Sequence, residues 1–128
     1  MNISDVGKKY DLSPDTLRYY ERIGLIPKIY RNSAGVREYN EQDCRWVEAI
    51  KFMRNAGMSI ELLLEYVEMV HAGDQMAQAR KELLMKQRAL LIAQIEGLQS
   101  TLAQLTHKIE SYEQSVQPNE QKLKNATE

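Results

Sequence analysis

The chain of 128 residues is poor in cysteine and proline and has no long apolar run. One cysteine, Cys44, cannot form an intramolecular disulfide, which suits a reducing compartment. No apolar stretch approaches the roughly 20 residues that a membrane span requires. The N-terminal residues MNISDVGKKY lack the apolar segment of a signal peptide. We therefore expect a cytoplasmic protein with no membrane partner.

Residue sets that carry enzymatic chemistry are also missing. We find no nucleophile–base set, no cluster with metal-ligand spacing and no glycine-rich phosphate loop. The two histidines, His71 and His107, stand at a helix end and on a solvent-facing helix position. The sequence therefore predicts neither an enzyme nor a bound cofactor or metal.

Charge is balanced overall but unevenly distributed. The net charge is −1, yet residues 1–58 carry 10 basic and 8 acidic residues, and residues 59–128 carry 7 and 10. The N-terminal part is therefore slightly basic. This asymmetry is mild support for an N-terminal part that meets an anionic partner.

The N-terminal part begins with two predicted short helices. The first spans Ser4 to Tyr10, with Ser4 as N-cap. The second begins with Ser13 as N-cap and Pro14 in the first turn, and ends at Gly24. Two short helices joined by a tight turn form a candidate helix-turn-helix.

A basic hairpin and two more helices follow. The segment PKIYRNSAGVREYN, residues 27–40, has β-favouring residues on both sides of a turn. Asn40 then caps a helix of about residues 41–56, and Ser59 caps another that runs to about His71.

The second short helix carries two different faces. Leu17, Tyr20 and Ile23 fall on one side of a helical wheel and are the predicted core stripe. The opposite side carries Asp15, Arg18, Tyr19 and Arg22. For an isolated helix such a face is usually only solvated. Here the face belongs to the second helix of a candidate helix-turn-helix, and a basic hairpin follows it. This arrangement favours contact of the face with DNA phosphates and bases.

The C-terminal half has the pattern of a coiled coil. Apolar residues recur every seven positions in two interleaved series, which predicts a long helix with a seam that needs a partner. A second copy of the chain is the simplest partner. The proposed dimerisation residues are Leu84, Leu91, Ile95, Leu98, Leu102, Leu105, Ile109 and Tyr112.

These segments together predict a mainly α fold. Residues 1–72 form a winged helix-turn-helix DNA-binding domain with two further helices. Residues 73–117 form a coiled-coil dimerisation helix, and residues 118–128 form a polar tail that we expect to be disordered.

Three motifs resemble the MerR family of transcription regulators: LRYYERIGLIP at 17–27, RNSAGVREY at 31–39 and MRNAGMSI at 53–60. The resemblance implies a homodimer with antiparallel long helices, although the heptad composition alone favours a parallel pair. It also implies a regulator that binds a pseudo-palindrome in double-stranded promoter DNA. Bending and untwisting an over-long promoter spacer would then act indirectly on RNA polymerase.

The resemblance also implies a set of DNA-contacting residues by matching position. On the recognition helix these are Thr16, Arg18 and Tyr19. In the wing they are Arg31, Gly35, Arg37 and Tyr39. Tyr39 has a competing interpretation as a core or hinge residue.

The sensed signal is less constrained. Some MerR relatives bind soft metals or iron–sulfur clusters through cysteine ligands, and these ligands are missing here. Drug-binding relatives append a large C-terminal effector domain, for which we expect no room in the 12 residues after Val116. The segment around IKFMRNAGMSI, residues 50–60, resembles the short, aldehyde- and thiol-stress-responsive branch. That branch has a reactive cysteine where this chain has Phe52. Cys44 is the candidate sensor, predicted to be exposed near a helix N-terminus; an inert cysteine is the alternative.

A second hypothesis assigns a different class of function. In it the chain is a coiled-coil protein–protein interaction module that does not bind DNA. The neutral overall charge favours it, but it gives no role to Arg18, Arg22, Arg31 and Arg37.

Overall fold

The computed structural model describes the backbone of residues 1–127 and the side chains of residues 1–126. By packing, the chain divides into one unit of residues 1–88 and a second of residues 89–128. Each unit is described separately. Within the described residues, no helix is both long enough and apolar enough to cross a membrane.

The first unit opens with helices α1 (Ile3–Tyr10) and α2 (Pro14–Ile23). The N-cap of α1 is Asn2, whose side-chain oxygen accepts a hydrogen bond from the Asp5 N–H at 2.8 Å. The prediction of Ser4 as this cap was therefore wrong. An asparagine two residues earlier offers an equally good acceptor and adds helical residues at the start.

The turn between α1 and α2 brings two backbone segments very close together. The Leu12 N–H donates to the Gly7 carbonyl at 2.9 Å. A Cβ atom added at Gly7 would lie 2.6 Å from the Leu12 carbonyl oxygen. The predicted start of α2 is confirmed: Ser13 accepts from the Thr16 N–H, and Pro14 stands in the first turn. Its predicted end at Gly24, in a left-handed conformation, is confirmed as well.

The predicted hairpin is present as a short wing. Strands β1 (Tyr30–Arg31) and β2 (Arg37–Glu38) pair antiparallel, with Tyr30 opposite Glu38 and Arg31 opposite Arg37. The Asn32 side-chain oxygen accepts hydrogen bonds from the N–H groups of Ala34 and Val36, at 2.9 and 3.1 Å. One asparagine thus organises the turn of the wing.

Helices α3 (Glu41–Asn55) and α4 (Ile60–Ala72) complete the helical layer of this unit. Asn40 and Asp43 form a reciprocal capping box at the start of α3, and Ser59 caps α4. Both caps agree with the sequence prediction. The core is built from side chains of α1 to α4, of the loops before and after the wing, and of the turn between α3 and α4. Its fully buried members include Val6, Leu17, Leu25, Val47, Ile50, Met58 and Leu63.

A single 3-10 turn (Asp74–Met76) leads into helix α5 (Ala77–Glu110), which begins within the first unit. Two polar side chains tie this beginning to α3 and α4. Arg80 donates to the carbonyls of Met69 and Gly73, at 3.0 and 2.9 Å. Gln87, only 8% exposed, donates to the Ala56 carbonyl at 3.0 Å. The first three turns of α5 are thereby fixed to the helix-turn-helix unit.

The second unit contains the rest of α5, a π-helical stretch (Tyr112–Val116) and helix α6 (Gln117–Thr127). We expected residues 118–128 to be a disordered tail, but the structure has a helix over the described part; Glu128 lies outside the described residues. Pro118 occupies the first turn of α6, where its missing N–H is not needed. The Tyr112 hydroxyl donates to the Glu120 carboxylate at 2.7 Å and links the π-helical stretch to α6.

Candidate nucleic-acid interface

The exposed face of α2 carries the cationic and aromatic side chains that the sequence predicted. Arg18 is 47% exposed and pairs with Asp15 at 2.9 Å. The guanidinium of Arg22 lies 5.3 Å from the centre of the Tyr19 ring, a cation–π distance. Leu17 and Tyr20 are buried on the opposite side, and Ile23 is half-buried. The predicted division of α2 into a buried face and an exposed face is therefore confirmed.

The N-terminal turn of α2 is locally ordered by two hydroxyl groups. The hydroxyls of Ser13 and Thr16 lie 2.8 Å apart, and Ser13 also accepts from the Thr16 backbone N–H. Thr16 is only partly exposed. This turn presents a fixed, uncharged surface at the end of the helix that recognition helices direct at base edges.

Arg31 lies on the exposed side of the wing. Its guanidinium donates to the Gly35 carbonyl at 3.0 Å, within the same turn. Gly35 has a φ of +80°, and open space surrounds it. Position 35 therefore favours glycine for its backbone conformation, because L residues rarely adopt this φ angle. The wing thus presents one cationic side chain beside a glycine that has no side chain of its own.

Arg37 is held differently from Arg31. Its Nε donates to a carboxylate oxygen of Glu21 on α2 at 2.8 Å, and the two side chains are only 18% and 12% exposed. Glu21 was missed by the sequence reasoning. Its only signal was an acidic residue at the border between the core stripe and the basic face of α2, and its partner is 16 residues away.

Tyr39 lies in the core. It is 3% exposed, and its buried hydroxyl has no hydrogen-bond partner among the described residues. Burial raises the pKa of Tyr39 above its usual value, and the nearby Glu21 carboxylate adds to this rise. Of the two interpretations of Tyr39, the core one matches this geometry.

Cys44 was expected to be exposed, and this expectation was wrong. Its side chain is 8% exposed, in the core cluster with Val47 and Ile50. On a helical wheel of α3, Cys44 lies roughly opposite Trp46, which suggests exposure if Trp46 faces the core. Trp46 instead lies at the edge of the core, with its ring 5.4 Å from that of His71. A sensing role for Cys44 stays a prediction, and in this conformation a reagent would not reach the thiol freely.

Phe52 is the opposite case, an apolar side chain on the surface. It is 73% exposed and lines a shallow, largely apolar groove of about 450 Å³ together with Ala49, Met53, Tyr66 and Leu84. Position 52, where the family resemblance implies a reactive cysteine, is therefore accessible from solvent here, but Phe52 offers no thiol.

Most of the predicted seam residues are exposed in the single chain. Leu98, Leu102 and Ile109 are 71%, 62% and 67% exposed, in a helix with no apolar layer over them. Ile95, Leu105 and Tyr112 are also exposed, and Leu91 is partly buried. Leu84 lies in the first unit at 38% exposure. A row of exposed apolar side chains along one helix indicates a face that packs on a partner.

No group of three or more histidine, cysteine, aspartate or glutamate side chains in the described part of the chain is arranged to hold a metal ion. The polar side chains of the interface are arranged for hydrogen bonding and charge contact. A cationic helix face beside a wing is a geometry suited to a nucleic-acid duplex.

Comparisons with known proteins agree with this geometry. Residues 1–69 match the family described as MerR HTH family regulatory protein, and residues 44–108 match the family described as MerR, DNA binding. The HTH-type transcriptional regulator AdhR of Bacillus subtilis is 51% identical over 92 residues. That alignment covers 72% of this chain and 66% of the relative, just under two thirds of its length.

Two solved structures share the fold over almost the whole chain. A MerR family regulator from Listeria monocytogenes is 42% identical, with a TM-score of 0.79, over 99% of this chain and 96% of that one. HiNmlR, a MerR family regulator lacking the sensor domain and bound to promoter DNA, is 26% identical, with a TM-score of 0.80. The match covers 93% of this chain and 90% of the HiNmlR chain. The chain belongs to the MerR family of helix-turn-helix regulatory proteins, and it is a DNA-binding transcriptional regulator.

Proposed function

We propose that the protein binds a pseudo-palindromic promoter operator as a homodimer, with one helix-turn-helix unit on each half-site. The observation that carries this proposal is the exposed face of Arg18, Tyr19 and Arg22 on the second helix of the motif, beside the wing. The proposed DNA contacts are those three residues with Thr16, Arg31 and Gly35. Protein–protein binding without DNA, the alternative, leaves this face without a role.

The proposed dimer forms through the apolar row on α5. A helix of 34 residues is about 50 Å long and cannot bury such a row by itself. We assign the pairing as an antiparallel coiled coil, in keeping with the family resemblance. The domain boundaries at residues 72 and 117 belong to this proposal, with residues 1–72 on DNA and 73–117 at the dimer axis.

The proposed action on transcription is a change in the shape of the promoter. A dimer that bends and untwists an over-long spacer would bring the two polymerase recognition elements into register, so its effect on RNA polymerase is indirect. Specificity then includes the deformability of the spacer as well as base contacts. The protein needs no catalytic group for this role, and we place it in the cytoplasm with its DNA.

The signal that switches the protein is proposed to be a stress chemical, as in the short branch that the sequence resembles. A cysteine mechanism at position 52 is not available, because this position is Phe52. The buried Cys44 could react only after α3 is loosened from the core, since its side chain is 8% exposed.

Selection of bound fragments from a genomic DNA pool tests the proposed function. We expect an inverted repeat within an over-long promoter spacer, and an affinity that falls steeply as salt rises, because each neutralised phosphate releases counterions. Failure to bind any inverted-repeat duplex at low ionic strength would overturn the proposal. Binding to an inverted repeat without any change in the electrophoretic bend would retain the DNA-binding role and remove the shape mechanism.

A further inference from the structure

Glu21 joins three parts of the first unit through one carboxylate. One oxygen accepts the Arg37 Nε–H at 2.8 Å, and the other accepts the Ile29 backbone N–H at 3.3 Å. Ile29 directly precedes β1, and Arg37 begins β2. Both strands of the wing are therefore attached to the same side chain of the recognition helix.

The burial of this pair separates Arg37 from the other basic residues of the interface. Arg18 is 47% exposed and Arg31 lies on the exposed side of the wing, whereas the Arg37 side chain is 18% exposed. Its Nε is already used by Glu21, whose own side chain is 12% exposed. A charge-assisted hydrogen bond with little access to water is stronger and less screened than a surface pair.

We propose that Arg37 and Glu21 are positioning residues that hold the wing at a fixed distance and angle from α2, and that Arg37 acts on DNA through the wing. This inference rests on the proposed DNA-binding function. It makes a prediction of unusual sign, because removing a negative charge from a DNA-binding face ordinarily strengthens binding. Here the removal of the Glu21 charge should weaken it.

The test compares Glu21→Gln, Arg37→Ala and the double variant for binding to the selected operator. We expect each single variant to lose about tenfold or more in affinity, because each one breaks the same charge-assisted contact. The double variant should be no weaker than the poorer single variant, since residues that act as one unit are not additive.

Glu41→Gln is the matched control. It removes the same charge from an exposed pair with Arg45, whose side chains are 84% and 67% exposed. We expect it to bind the operator at least as tightly as the unchanged protein. If neither the unchanged protein nor this control binds any operator, the proposed function fails, independently of the role of Arg37.

The result that would overturn the inference is a Glu21→Gln variant that binds as tightly as the unchanged protein, or more tightly, while Arg37→Ala weakens binding. Arg37 would then contact DNA itself.

Trypsin digestion of the free protein gives a second, DNA-independent readout, in case Glu21→Gln folds poorly. We expect cleavage after Lys28 and Arg31 to be several-fold faster in Arg37→Ala, with the rest of the chain unchanged. Unchanged cleavage there would also overturn the inference.

Discussion

Gly7 determines how closely the two helices of the motif can approach. The Leu12 carbonyl would lie 2.6 Å from any Cβ atom at this position, and that carbonyl belongs to backbone fixed by its own hydrogen-bonded turn. The restriction is therefore steric, since Gly7 itself is an ordinary helical residue of α1. Gly97 is a useful contrast, because nothing lies within 4 Å of an added Cβ there.

Gly7→Ala should destabilise the first unit by roughly 2 kcal/mol, because overpacking forces the backbone apart and outweighs the gain in helix propensity. Thermal unfolding measures the effect. Gly97→Ala is the control and should stabilise α5 by up to about 1 kcal/mol. An equal gain in both variants would show that the turn tolerates the added methyl group.

Arg18→Ala should weaken operator binding by roughly 1–3 kcal/mol if Arg18 reads a base edge. A mobility-shift titration with the selected operator measures this loss. Arg45→Ala, which removes an exposed arginine from α3, is the control and should bind as the unchanged protein does. Equal affinities for Arg18→Ala and the control would remove Arg18 from the set of contacts.

Residues whose partners are distant in the chain were the hardest to predict. The outward position of Tyr19 and the inward positions of Leu17 and Tyr20 follow from one helical period. The pairing of Glu21 with Arg37 does not, because it depends on how the wing folds back over α2. The burial of Cys44 was misjudged for the same reason: a wheel describes one helix and says nothing about the elements that cover it.

At the scale of elements, caps and turns were predictable because they are local. Ser13, Asn40 and Ser59 each accept a hydrogen bond from the backbone three residues later, a relation that the sequence displays directly. The start of α1 was misplaced where Asn2 and Ser4 competed for the same role. Residues 118–128 were expected to be disordered because they are polar, but helix α6 (Gln117–Thr127) covers the described part of this segment, with Pro118 in its first turn.

Helix α5 carries the prediction that belongs to this scale. Leu98→Asp should separate the dimer, because a carboxylate at a central seam position would face the apolar side chains of the partner. Sedimentation measures the mass of the particle. Ser100→Asp introduces a carboxylate two residues away, off the seam, and should remain dimeric. If Leu98→Asp also stays dimeric, the contact between copies lies elsewhere.

The whole molecule is expected to be more stable as a pair than as a single chain. Leu98, Leu102 and Ile109 leave much of their apolar surface in water in the single chain. Burying that surface between two copies makes dissociation and unfolding linked events. The apparent stability then depends on how much protein is present.

The melting temperature should therefore rise with protein concentration. Each tenfold increase adds about 1.4 kcal/mol to the apparent stability of a dimer that unfolds as it separates. Differential scanning calorimetry over a hundredfold concentration range measures the trend. Leu98→Asp should melt at a temperature independent of concentration. If the melting temperature of the unchanged protein did not vary with concentration, the first unit would unfold without separation of the two copies.

The burial of the single thiol has a practical side. Because Cys44 is shielded within the core, a maleimide dye added to the folded protein would label a newly introduced surface cysteine in preference to it. Ser33, at the exposed tip of the wing, is a suitable place for such a probe. A fluorophore there would let the wing be followed as the protein meets DNA, without first engineering the natural cysteine away.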